Sequence, residues 1–220
     1  MARKGIANRP GEEIYDHLEA AVRFSQSGDL KQAAEALETV FHADPDNIDA
    51  TIGLANIHAT WGDMEAAIPL FEKAAAICPG EVEAHFNLGR ALSETGRLDD
   101  AVASYQKALA IEPDLIDAHH NIGNALKKLG RLDEALASYH RVLALNPNSV
   151  AEHNNLGTTL QNLGRLDEAL ASYDRALASD PDNSIVHSNN GSLLLERGTL
   201  DDALTRDERA RASHPDSSIT

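Results

Sequence analysis

The sequence predicts an all-α solenoid of six tandem helical hairpins, and three observations predict it. Six prolines stand 34 residues apart, at Pro45, Pro79, Pro113, Pro147, Pro181 and Pro215. Six glycines keep the same step, at Gly28, Gly62, Gly96, Gly130, Gly164 and Gly198. Between these markers apolar residues recur at helical spacing, and no stretch alternates as a strand would. A fixed period of this length marks a stacked array in which each unit contacts mainly its neighbours. Such an array offers a long groove rather than one deep pocket.

The elements follow in order. Residues 1–13 are expected to form a flexible basic tail with Arg3, Lys4 and Arg9. The array then runs over 14–217 in units 14–47, 48–81, 82–115, 116–149, 150–183 and 184–217, and 218–220 are left as a C-terminal tail. The third unit shows how each is built. His85, Leu88, Gly89 and Leu92 share one helix face, and Gly96 ends that helix. Asp99 and Asp100 open a second helix carrying Ala101, Tyr105 and Ala108, and Pro113 closes it. Small residues recur as Ala21, Ala55, Gly89, Gly123, Gly157 and Gly191 on the first helices. On the second helices they recur as Ala33, Ala67, Ala101, Ala135, Ala169 and Ala203. Large residues face them at Leu54, Leu88, Ile122 and Leu156, and at Leu37, Phe71, Tyr105, Tyr139 and Tyr173. Glycine inside a helix costs about 1 kcal/mol against alanine, so its recurrence implies an offsetting gain in packing. The sixth unit departs from the pattern, with Asn190 and Asp207 where large residues belong; its Arg206, Asp207, Glu208, Arg209 and Arg211 read as a polar cap.

These columns resemble the tetratricopeptide repeat across nearly the whole chain. The family's tryptophan early in the first helix is absent; His17, Thr51, His85, His119, His153 and His187 stand there. The resemblance implies a right-handed superhelix whose inner wall is formed by the first helices, and a protein-binding role. The second helices nearly repeat one another, as Gly96–Tyr105, Gly130–Tyr139 and Gly164–Tyr173 show, whereas the first helices vary. The invariant parts therefore pack and the variable parts are candidates for recognition.

One polar column does persist on the first helices: Asn87, Asn121, Asn155 and Asn189, after Glu19 and Gly53. An amide side chain both donates and accepts, so a row of them matches the backbone of an extended peptide. The row is similar to the asparagine ladder of O-GlcNAc transferase-type arrays. Two readings stand: the amides grip a peptide, or they bond the neighbouring repeat. Phe86, Arg90, Asn124, Lys128, Asn154 and Thr158 lie beside the row as further candidates. A neighbouring column grades from apolar to polar, through Leu18, Ile52, Phe86, His120, Asn154 and Ser188. That gradient predicts an apolar early end and a polar later end of the binding face. A carboxylate clamp is not expected: Asn56 with Asn87, and Asn124 with Asn155, have the helix spacing, but Asp117, Asn121, Ile185 and Asn189 stand where cations are needed.

The rest is exclusion. A net charge of −16 argues against nucleic acid, which needs clustered cations. Acids such as Asp133, Glu134, Asp167 and Glu168 sit at helix starts, where they offset the dipole. No run approaches the roughly 18–20 apolar residues of a membrane span, and the start lacks a signal-peptide core, so a cytoplasmic location is expected. Cys78 is alone, leaving no intrachain disulfide. Histidines one repeat apart cannot converge on one metal ion, and no catalytic motif appears. The expected protein is a non-enzymatic scaffold without cofactor or metal. Alternatives are the recognition portion of a glycosyltransferase and a scaffold that self-assembles through its terminal repeats.

Overall fold

A computed structural model describes residues 10–213, with side chains described over 13–198 and at 201. Eleven helices follow one another: α1 Pro10–Gln26, α2 Leu30–Ala43, α3 Ile48–Thr60, α4 Met64–Ile77, α5 Val82–Glu94, α6 Leu98–Ile111, α7 Ile116–Lys128, α8 Leu132–Leu145, α9 Val150–Asn162, α10 Leu166–Ser179 and α11 Ser184–Ser213. Two compact units divide after Ala125, inside α7. In the first, α1 to α6 each pack on the next; in the second, α8 to α11 do so. Pro10 opens α1 ahead of the array's expected start at Ile14, because proline is preorganised for the first helical position. The helix therefore takes in residues 10–13 of the expected flexible tail; residues 1–9, Pro215 and the C-terminal tail lie outside the described residues.

The 34-residue markers act as turns for physical reasons. Gly28, Gly62, Gly96, Gly130 and Gly164 all adopt positive φ, between 72° and 80°, which costs glycine nothing and other residues strain. The residue after each glycine donates its N–H back into the preceding helix, as from Arg97 to the Leu92 carbonyl and from Arg165 to that of Leu160, both 2.9 Å. The repeats that open with α3, α9 and α11 begin at side-chain caps. Asn47 accepts from the Ala50 N–H at 3.0 Å, and Asn183 from that of Val186 at 3.2 Å. Acids in the first turn of the second helices find arginines as well as the dipole. Arg131 holds Glu134 by two bonds of 2.7 Å, and Arg165 holds Glu168 in the same way. Those contacts lower both carboxyl pKa values, though such exposed pairs add little to stability.

Gly198 breaks the rule that the sequence suggests. A second hairpin helix is expected after it, but α11 runs through Gly198 as one helix. A hairpin closes only if its second helix has an apolar face to bury. The sixth unit puts Asp207 where Tyr105, Tyr139 and Tyr173 stand in earlier units, and Asn190 where leucine or isoleucine stands. The sequence thus supplies no large side chain at either place to hold a turn. The polar residues expected to cap the array, Arg206 to Arg211, lie within α11, and their side chains are outside those described.

The core follows the columns. Ala33, Ala67, Ala101, Ala135 and Ala169 are wholly buried, and Tyr105, Tyr139 and Tyr173 are the largest side chains so enclosed. Tyr105 lies over Gly89 and Tyr173 over Gly157, so closely that a Cβ on either glycine would stand 2.6 and 2.5 Å from a ring carbon. The histidine column also has a structural task. His85, His119, His153 and His187 each place Nε2 2.8–3.0 Å from the carbonyl of the proline six residues earlier. A carbonyl only accepts, so Nε2–H donates, tying α5, α7, α9 and α11 to the turns that launch them. Thr51, the exception in the column, instead donates to the Asn47 carbonyl at 2.7 Å.

Candidate functional site

The first helices present a face on which residues one repeat apart take equivalent places. In the first unit this face carries two clefts. One, of about 660 Å³, is lined by Tyr15, Leu18, Glu19, Val22, Leu37, Asp49 and Gly53. Its walls are apolar, and Tyr15 and Val22 are 68% and 57% exposed. Gly53 keeps it open: a Cβ there would sit 2.8 Å from Leu37 Cδ1. The other, of about 360 Å³, is lined by Asn56, Phe71, Glu83, Asn87, Arg90 and Glu94 among others. It is polar. Glu83 Oε1 accepts from Asn56 Nδ2 at 3.0 Å and from Asn87 Nδ2 at 3.3 Å, while Asn87 Nδ2 also donates to Asn56 Oδ1 at 3.0 Å.

The structure therefore brings Asn87 and Arg90 into one cleft. It adds Glu83 and Glu94, which the sequence reading had not placed with them, and Asn56, which that reading had paired with Asn87 by helix spacing alone. Phe86 is half-buried, its ring 5.6 Å from that of Tyr105. Burial pushes the Tyr105 hydroxyl up to about 12, with Arg90 lowering and Glu94 raising it to lesser degrees. Asn121 is half-buried on α7, and Asn124 bonds His120 at 2.8 Å.

In the second unit, Asn189 Nδ2 donates to Asn154 Oδ1 at 2.9 Å, and Asn155 Oδ1 accepts from Lys127 Nζ at 3.4 Å. Thr158 spends its hydroxyl on the Asn155 carbonyl, at 3.0 Å. Lys128 is exposed, whereas Lys127, its unselected neighbour, is half-buried over the Tyr139 ring. Burial, and secondarily Lys128, lowers the Lys127 pKa. A further cleft of about 490 Å³ lies off this face, between α8, α9 and α10, beside His140, His153 and Arg175. Three of the four ladder amides thus bond across to another repeat while engaging one end of the amide only.

Among the described residues no group of three or more His, Cys, Asp or Glu is placed to hold a metal ion, and no helix is long and apolar enough to cross a membrane.

Tandem helical hairpins with an open, polar first-helix face define a protein-interaction scaffold. The chain belongs to the tetratricopeptide repeat family: a family model of that description matches residues 18–82, 120–184 and 154–218. Two further models of this repeat match 61–104 and 89–130. Among solved structures, a MamA protein is similar at 23% identity and a TM-score of 0.75, over 78% of this chain and 93% of that one. YrrB, described as a TPR protein with an unusual peptide-binding site, is similar at 22% identity and a TM-score of 0.74, over 83% and 97%. A second MamA structure matches at 26% identity and 0.71, over 82% and 98%. No curated protein matches the sequence.

Proposed function

We propose that this chain is a non-enzymatic scaffold that binds an extended polypeptide segment along its first-helix faces. Asn87 and Asn121 act in the first unit, and Asn155 and Asn189 in the second. Arg90, Asn124, Asn154, Thr158, Lys128 and Phe86 flank them. One observation carries the reading: the bonded ladder amides are each committed at one end, which fixes the side chain and leaves the other end for a peptide N–H or C=O. Asn87 is held through Nδ2 and keeps Oδ1; Asn155 is held through Oδ1 and keeps Nδ2. A pre-fixed amide loses less side-chain entropy on binding than a free one. The likeness to YrrB supports the same reading.

Replacing all four asparagines by alanine tests it. Capture of polypeptide partners from the native cell, read by mass spectrometry, and titration with any partner so found should fall at least tenfold while helicity is unchanged. Undiminished affinity would end the reading.

A second reading has its own observation. On α11, Leu194 and Leu195 are 50% and 75% exposed, adjacent apolar side chains on the sixth unit's helix. Pairing of two copies there would cover them. Light scattering over a concentration series tests this, and a strict monomer at all concentrations rejects it.

A further inference from the structure

We propose that the first unit selects its partner by two sockets one repeat apart, an apolar one and then an acidic one. Together they take a segment bearing a bulky apolar side chain and, about three residues away, a lysine or arginine. The inference rests on the peptide-binding reading of this face and gives it a specificity.

The two clefts are one site written twice. Leu37 and Phe71 are equivalent by the 34-residue step and form the two floors. Glu19, Gly53 and Asn87 are one column; Val22, Asn56 and Arg90 are another. Chemistry differs where the letters differ. In the first socket Gly53 contributes no side chain over the buried Leu37 floor, and Val22 walls the socket with hydrocarbon. In the second, Asn87 and Asn56 replace glycine and valine, and Glu83 and Glu94 stand at the sides.

Charge names the occupant. The first socket is edged by Glu19 and Asp49, and the second by Glu83 and Glu94, against Arg90 as the cation of the two linings. These acids differ from Asp100, Glu134 and Glu168, which are already paired with arginines. Glu83 is held through Oε1 by two amides, so Oε2 is presented by a fixed carboxylate. A cation there meets an oriented carboxylate oxygen at the side of the cleft and forms a charge-assisted bond with it.

Geometry sets the spacing. Neighbouring packed helices lie roughly 8–10 Å apart, and an extended chain advances about 3.3 Å per residue. An apolar anchor and a cation therefore stand about three residues apart in an extended ligand.

Selection of random twelve-residue peptides displayed on phage, against the immobilised full chain, tests this. The expected result is enrichment of sequences with a large apolar residue and a lysine or arginine three positions apart. A synthetic peptide with leucine and lysine at that spacing should bind at least tenfold less tightly to the Glu83→Gln, Glu94→Gln double variant. A version with norleucine in place of lysine should not distinguish the two proteins. Enriched peptides that lack the pair, yet are lost in the four-asparagine variant, would overturn the sockets and leave the peptide-binding reading standing. No enrichment of any peptide would overturn both. Circular dichroism of each variant confirms that it is folded.

Discussion

Tyr173 occupies the space that a side chain on Gly157 would need: a Cβ there would lie 2.5 Å from Cε1 and 2.8 Å from Cδ1 of the ring. The phenol is wholly buried and its hydroxyl donates to Gln161 Oε1 at 3.2 Å, so the ring is fixed from both sides. Gly191, next in the same column, meets nothing within 4 Å, because α11 continues as one helix and no second helix folds back over it.

Those two glycines should respond oppositely to alanine. Gly157→Ala forces an overpacked contact, typically worth 1–3 kcal/mol, against a helix-propensity gain near 1 kcal/mol. We expect a net loss of up to about 2 kcal/mol by the same account. Gly191→Ala gains propensity alone, about 1 kcal/mol on an exposed helical site. Urea denaturation followed by circular dichroism checks both; shifts of equal sign would contradict the notch-and-ring account.

How much of this was legible follows from what a 34-residue period can carry. Backbone events that depend on one residue type, such as positive φ at Gly96 or closure at Pro113, can be read from single letters. Gly198 is the counterexample. Its letter is in register, yet the turn depends on burial from the partner helix, and Asp207 supplies no large side chain for it. The site was legible only as a face. That Asn87 would be shared between Asn56 and Glu83, and Asn155 with Lys127, depends on side-chain torsions settled between repeats. The histidine column did carry an unused signal: each of His85, His119, His153 and His187 stands six residues after a proline, the interval at which its ring bonds that carbonyl.

Pro69 stands inside α4, where the third, fourth and fifth units have Ala103, Ala137 and Ala171. Proline there has no N–H to return to the preceding turn, and its ring crowds the carbonyl four residues back. Pro69 is exposed, so packing does not compensate. Pro69→Ala should therefore stabilise the first unit, by up to about 3 kcal/mol on helix-propensity grounds. Hydrogen exchange of α3 and α4 amides should slow along with a higher urea midpoint; unchanged protection in α4 would show that the helix already accommodates the ring.

Alkaline pH should loosen the array through its buried phenols. Burial raises Tyr105 and Tyr173 to about 12 and raises Tyr139 as well, each above the ordinary value near 10. The sign follows from proton binding. Between about pH 10 and 12 the unfolded chain releases these protons and the folded chain keeps them, so rising pH favours unfolding. Below about pH 10 both states hold the protons and these groups add no pH dependence. Stability should be level with respect to tyrosine up to about pH 10 and then decline. Phenolate absorbance from the three core rings should appear only as helicity is lost. A Tyr173→Phe variant removes one of the groups and should soften the decline, at the cost of the bond to Gln161 at neutral pH. Core phenolate absorbance developing near pH 10 with the helical signal intact would show that the rings reach solvent in the folded state.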